Sequence, residues 1–231
     1  MEAIASLFLG PGTTVTHAAI VRCATTRTHL VWVGEHAKRT YSSTTRGFGK
    51  IERIKKQFEI LSDPLKTLEA ARLLYNFRFD ETPPESFNLN QIRGKEGVTM
   101  KVTYRKLAEQ FNVPWRGRLV KAPVDDVLNR LISFGNSILY GLAEAVILAH
   151  GCCPAFGILH IGHWRSLAFD LADVVKNDVV LETAFLTASL PKNQDVKFKQ
   201  LLNDRLYKAK TLEFFFHLLN RILRVADGHS H

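Results

Sequence analysis

Residues 124–150, VDDVLNRLISFGNSILYGLAEAVILAH, carry too few polar side chains for a helix lying on a protein surface. A helix that is apolar nearly all round belongs inside a protein or a bilayer. The apolar stretch 137–162 is interrupted by Glu144, His150 and Pro154, so it lacks the roughly 20 uninterrupted residues that a bilayer span requires. The segment therefore reads as a central core helix, with Gly151 in the position of a C-terminal cap. With 46% apolar residues in a chain of 231, enough material exists to bury it.

The rest of the chain divides around residue 47. Residues 1–47 alternate apolar runs with turn residues, in LFLGPGTTVTHAAIV, HLVWVG and RTYSS, and Trp32 with its β-branched neighbours favours strands. This piece is too short to be a self-sufficient sandwich, and RGFGK at 46–50 reads as a glycine hinge. From residue 50 the period turns helical. KIERIKKQFEIL places Ile51, Ile54, Phe58 and Leu61 on one face, and Pro64 breaks the chain before LKTLEAARLLYNFRF. Residues 85–113 predict a long helix with Gly94 and Gly97 on either side of Glu96. Each glycine costs a helix about 1 kcal/mol relative to alanine, so either something approaches the backbone there or the helix is kinked. Residues 178–190 and 195–225 are again helical, the second segment bent or broken near residue 210. The expected fold is α+β: a short N-terminal β-containing domain at 1–47 and a larger all-α domain at 48–231. No internal repeat or low-complexity stretch interrupts it.

Lysine and arginine outnumber aspartate and glutamate by 31 to 22, a net charge of +9. That balance suits a polyanionic partner as well as an ordinary basic enzyme. Cys23, Cys152 and Cys153 form neither a disulfide framework nor a zinc motif. MEAIASLFLGPG lacks the basic n-region of a secretory signal, so a cytoplasmic location without membrane attachment is expected.

GILHIGHWRSLAFDLADVVK, residues 157–176, sets His160, Asp170, Asp173 and Lys176 into otherwise buried surroundings. Asp170 and Asp173 stand three apart, so on a helix both carboxylates face one side and repel unless a cation or several donors separate them. An imidazole with carboxylates suits Mg²⁺ or Mn²⁺. The competing reading is a satisfied core network: His160 bonded to a backbone carbonyl, an aspartate paired with Lys176 or Arg165. Glu144 could organise that network or touch the metal.

LYGLAEAVILAHGCCPAFGILHIGHWRSLAFDLADVVKNDVVLETAF, at 139–185, closely resembles the core of the CRISPR-associated integrase family, the first Cas protein, with the type I-E branch as the nearest likeness. Further likenesses are GPGTTVTHAA at 10–19, LVWVGEHAKRTYSS at 30–43, QIRGKEGVTMKVTY at 91–104 and VPWRGR at 113–118, covering nearly the whole chain in order. The resemblance implies that the helical part is a catalytic domain. It also implies that Glu96, His160 and Asp173 are ligands of a Mg²⁺ or Mn²⁺ ion, with Asp170 supporting them, and it gives Gly94 and Gly97 a reason. The implied activity is metal-dependent DNA integration and cleavage in CRISPR adaptation, with a 3′-hydroxyl of spacer DNA attacking a phosphodiester of the CRISPR repeat. Lys176, Arg118, Tyr140, Arg39, Tyr41 and Lys210 fall where the family has basic or aromatic residues near DNA. Implied partners are double-stranded DNA, further copies of this chain in a homodimer or dimer of dimers, and the second, small Cas integration protein, in a prokaryotic cytoplasm.

Members of the family usually begin with more β-structure than this chain has, including strands used in dimer contacts. Thr14 and Val21 stand where basic residues are usual, His163 replaces a lysine, and the loop after WRGR is shorter. These departures leave two rivals: a solo homologue acting as a transposon-type integrase or branched-DNA nuclease, and a non-catalytic DNA-binding scaffold subunit. Unpaired strand edges left by the short β domain favour pairing with another subunit.

Overall fold

The computed structural model describes residues 4, 6–26, 28–34, 40–43, 51–119, 123 and 125–228. The N-terminal part is a three-stranded sheet in the order β1 (Ser6–Leu9), β2 (His29–Val33), β3 (Thr40–Ser43). β1 pairs parallel with β2, Ser6 opposite His29, and β2 pairs antiparallel with β3, Val31 opposite Ser43, with a register irregularity between Trp32 and Val33. The stretch read from sequence as one more strand and turn contains instead a helix, α1 (His17–Thr26). Parallel neighbours cannot be joined by a tight turn and need a crossover, which α1 supplies. Thr16 starts it, its hydroxyl accepting the N–H of Ala19 at 3.2 Å. The hinge expected at 46–50 lies outside the described residues.

The remainder is helical. α2 (Ile51–Ser62) presents to the interior not the stripe of Ile51, Ile54 and Phe58 but Gln57 and Ile60; Ile51 and Phe58 are 67% and 64% exposed. A glutamine inside is tolerated because its amide meets both backbone groups of Cys153, at 3.2 and 2.8 Å. α3 (Pro64–Phe79) begins where Asp63 accepts the Leu65 N–H at 2.8 Å and Pro64 needs no donor partner. α4 (Leu89–Phe111) opens with a reciprocal capping box between Asn88 and Gln91 and runs unbroken through Gly94 and Gly97. Its residues Ile92, Tyr104 and Leu107 are buried.

α5 (Val127–Ala149) is the core helix expected, and Gly151 follows it with φ +74°. By length and composition alone it could cross a membrane, yet most of its apolar window is packed inside the fold. Gly135 is required here, since a Cβ would lie 2.7 Å from the Val180 side chain. α6 (Ser166–Lys176) continues through one π-helical turn (Asn177–Leu181) into α7 (Glu182–Ala188). α8 (Gln194–Lys208) and α9 (Thr211–Arg224) meet at a corner where Lys210 takes φ +45°, so the predicted break near 210 is present. Leu131, Ile132, Leu139 and Ile147 of α5 join Tyr75, Phe185, Phe198 and Phe215 in one core. Each such side chain contributes about 1.5–3 kcal/mol on burial.

Candidate functional site

Four separate pieces of chain converge beside α5: the C-terminal turn of α3 with Arg78, the middle of α4 with Glu96, the loop 157–160 with His160, and α6 with Asp170 and Asp173. The loop doubles back so tightly that a Cβ on Gly157 would stand 2.2 Å from the His160 carbonyl oxygen and 2.5 Å from Ser166 Cβ. Glycine alone fits there, and it delivers His160 to the N-terminal side of α6. Arg93, three residues before Glu96, ties α4 to the same loop by donating to the carbonyls of Leu159 at 2.9 Å and Ile158 at 3.2 Å.

Asp170 is buried because it is surrounded by donors. Its carboxylate accepts the backbone N–H groups of Ile158, Leu159 and His160 at 2.5, 3.3 and 2.9 Å, and pairs with His160 Nδ1 at 2.8 Å. It therefore fixes both the loop and the imidazole, and turns Nε2 toward Asp173 Oδ2, 4.0 Å away. Burial works to lower the His160 pKa, but the hydrogen bond to Asp170 and the charges of Asp170, Asp173 and Glu96 outweigh it and raise the value.

Asp173 uses both oxygens. Oδ1 accepts from Lys176 at 3.2 Å and Oδ2 from Arg78 at 3.3 Å. Burial presses its pKa upward, yet Lys176, Arg78 and His160 bring it below the ordinary carboxylate value. Glu96 is also bonded to Arg78 Nη1, but for Glu96 burial prevails over the guanidinium and the pKa is raised. A single guanidinium nitrogen thus spans two carboxylates from two helices, with the Arg78 side chain only 5% exposed.

The predicted metal cradle is consequently not ready-made: among the described residues no three His, Cys, Asp or Glu side chains are arranged to hold one ion. The donor set nevertheless fits a hard divalent cation. Two carboxylates share one positive group, and His160 Nε2 lies beside the same Asp173 oxygen. Glu96, His160 and Asp173 would be the residues to hold it, with Asp170 orienting the imidazole from behind.

The remaining predicted residues divide. Lys176 is brought to the site, but its charge is spent on Asp173 and its side chain is 13% exposed. Tyr140 packs edge-on against Phe169, 4.6 Å between ring centroids, and Phe169 in turn packs edge-on against His160 at 5.7 Å. Arg118 turns inward to Asn129 Oδ1 and Ser133 Oγ, both at 2.9 Å, and holds the 113–119 segment on α5. Lys210 stands at the α8–α9 corner, in an open groove with Asn203, Tyr207 and Leu142. Tyr41 is 68% exposed on β3, and Arg39 lies outside the described residues. Glu144 is the organiser of the two alternatives: it takes Arg165 at 2.8 and 2.5 Å, which removes Arg165 as a partner for the aspartates. Arg78 was missed from sequence. Its one signal is a lone cation between Tyr75 and Phe79, in the apolar run LLYNFRF.

Residues 78–220 match the family described as CRISPR associated protein Cas1. The CRISPR-associated endonuclease Cas1 of Escherichia coli (strain K12) is 36% identical over 229 residues, 97% of this chain and 75% of that protein. The crystal structure of TtCas1 superimposes with a TM-score of 0.80 at 36% identity, over 95% of this chain and 85% of that one. A TtCas1–DNA complex matches with a TM-score of 0.76 at 34% identity, covering 95% and 80%.

Proposed function

The chain belongs to the Cas1 family of CRISPR-associated proteins, and from that premise we propose that it is a metal-dependent DNA integrase and endonuclease of CRISPR adaptation. The observation that carries this reading is the convergence of Glu96, His160 and Asp173, from α4, a loop and α6, with Asp170 clamping the imidazole. The relative whose structure was solved with DNA supports the substrate class.

In strand transfer, the 3′-hydroxyl of the incoming strand gives up its proton as its oxygen bonds to a phosphorus of the repeat. The bond from that phosphorus to the repeat's own 3′-oxygen breaks, and the departing oxygen takes up a proton. Mg²⁺ or Mn²⁺, when bound, supplies stabilisation of the charge that develops on the phosphoryl oxygens. The chain's own part is to hold and to steer. Asp170 keeps the Nδ1 side of His160 occupied, which leaves Nε2 as the free nitrogen. Lys176 keeps Asp173 ionised. Gly94 and Gly97 are exposed on α4 with nothing within 4 Å of where a Cβ would stand, so a phosphodiester can approach the helix backbone beside Glu96. The net charge of +9 supplies sequence-independent attraction for DNA.

The assembly belongs to the proposal as well. Among the described residues β1 and β3 are the outer strands of the sheet and would offer pairing positions to another copy in a homodimer or dimer of dimers, bridged by the second, small Cas protein. The test is transfer of a labelled duplex with free 3′-hydroxyl ends into a supercoiled plasmid bearing a repeat, with Mg²⁺ or Mn²⁺, with and without that second protein. Joined products from wild type and none from His160→Ala are expected. Absence of joining under every condition, by folded protein that still binds DNA, would instead identify a scaffold subunit.

A further inference from the structure

The acidic pair at the centre of the site already has a cation. Arg78 Nη1 contacts Oε1 of Glu96 and lies 3.3 Å from Oδ2 of Asp173, joining α3 to α4 and α6 at the point toward which His160 Nε2 also turns. We infer that Arg78 is the resident counter-cation of this pair, and that a divalent ion enters by exchange, with the guanidinium leaving the gap between Glu96 and Asp173. The inference rests on the reading of Glu96, His160 and Asp173 as metal ligands.

Three observations carry it. The first is electrostatic: two carboxylates that meet the same guanidinium nitrogen lie close together in a poorly solvated site, and without a positive group such like charges repel strongly. Arg78 removes that repulsion. The second is the fit of the guanidinium itself, which is incomplete. Its side chain is 5% exposed, yet Nε is buried without a hydrogen-bond partner, and one nitrogen serves both carboxylates where an arginine fork normally spreads two or more. A permanent structural pair would satisfy the whole fork; this one leaves part of it unbonded. The third is what remains after departure. Asp173 keeps Lys176 on its other oxygen, whereas among the described residues Arg78 is the only ion-pair partner of Glu96. Exchange would therefore free one Glu96 oxygen and one Asp173 oxygen, the latter 4.0 Å from His160 Nε2. The guanidinium already stands 5.1 Å from the Phe79 ring centroid, an aromatic surface that attracts it.

An internal competitor lowers apparent metal affinity by the fraction of time it occupies the site. In exchange it holds the two carboxylates in place before metal arrives. Arg78 is thus a positioning residue whose removal should strengthen metal binding, the opposite of what loss of a merely structural ion pair would do.

The test is calorimetric titration of the full chain with Mn²⁺, without DNA, for wild type, Arg78→Met and Arg78→Lys. Arg78→Met should bind at least tenfold more tightly than wild type, with Arg78→Lys between them. Equal or weaker binding by a natively folded Arg78→Met would overturn the inference while leaving the metal reading intact. Binding by none of the three would remove both. Should Arg78→Met not fold, wild type answers alone: the Arg78 Nε–H resonance, assigned by its absence from Arg78→Lys, should shift and exchange faster with water at saturating Mg²⁺. A resonance unmoved at saturation would also overturn it.

Discussion

Asp170 holds His160 twice, through the backbone N–H at 2.9 Å and through Nδ1 at 2.8 Å. One buried carboxylate thereby sets both the position of the loop and the angle of the ring. The arrangement is that of an outer partner which orients a metal-binding imidazole. Asp170→Asn offers an N–H₂ where donors already converge. It should lower stability by about 2–3 kcal/mol, measured by chemical denaturation, and weaken Mn²⁺ binding by roughly 10–100-fold, measured by titration. Unchanged metal affinity in the folded variant would deny Asp170 this orienting role.

The Glu144–Arg165 pair should prove structural. Both side chains are nearly buried, at 6% and 11% exposure, so removing one partner leaves an uncompensated charge. Arg165→Met should cost about 3–5 kcal/mol. Adding Glu144→Leu should recover most of that loss, because the double variant buries no charge. Denaturation midpoints of the two variants and the wild type decide it; a double variant no more stable than the single one would show that the pair does more than neutralise itself.

His150 gives the fold a pH limit. Burial, with Arg53 nearby, overcomes its hydrogen bond to Asn220 and lowers its pKa from 6.5 to about 4. Between those values the unfolded chain binds the proton and the folded chain does not. Stability from this residue is therefore complete above about pH 6.5 and is lost as pH falls toward 4. A loss of about 1–2 kcal/mol between pH 7 and pH 5 is expected. His150→Gln, which can still reach Asn220, should lose less over the same interval; equal losses would place the titrating group elsewhere.

Local patterns made most of the helices legible. The apolar run of α5, the Pro64 break and the corner near Lys210 all leave marks within a few residues. What sequence period could not settle was which side of a helix faces inward. Ile51, Ile54 and Phe58 share a face of α2, but the interior takes Gln57, because the Cys153 backbone needs a partner more than the core needs another side chain. α1 was illegible for a related reason: it is demanded by the parallel pairing of β1 with β2, a long-range fact. The site divides the same way. His160, Asp170 and Asp173 crowd one short segment and could be proposed from it, with Glu96 added by family likeness. Arg78 reaches them only because α3 packs against α4 and α6, and no motif announces that.

Glycine substitutions separate the folding role of the site from its substrate role. Gly157→Ala forces a Cβ to within 2.2 Å of the His160 carbonyl. Backbone cannot yield as a flexible side chain does, so a loss of at least about 2 kcal/mol is expected, with His160 displaced. Gly94 and Gly97 should behave in the opposite way, since an alanine Cβ at either meets nothing within 4 Å and both lie inside α4. Gly94→Ala and Gly97→Ala should each raise stability by about 1 kcal/mol through helix propensity. If the bare strip beside Glu96 serves close approach of DNA, the same substitutions should weaken DNA binding and slow strand transfer in a better-folded protein. Thermal denaturation and DNA titration on the same samples settle the matter. Greater stability with unaltered DNA affinity and transfer rate would show that no phosphodiester meets α4 at these glycines.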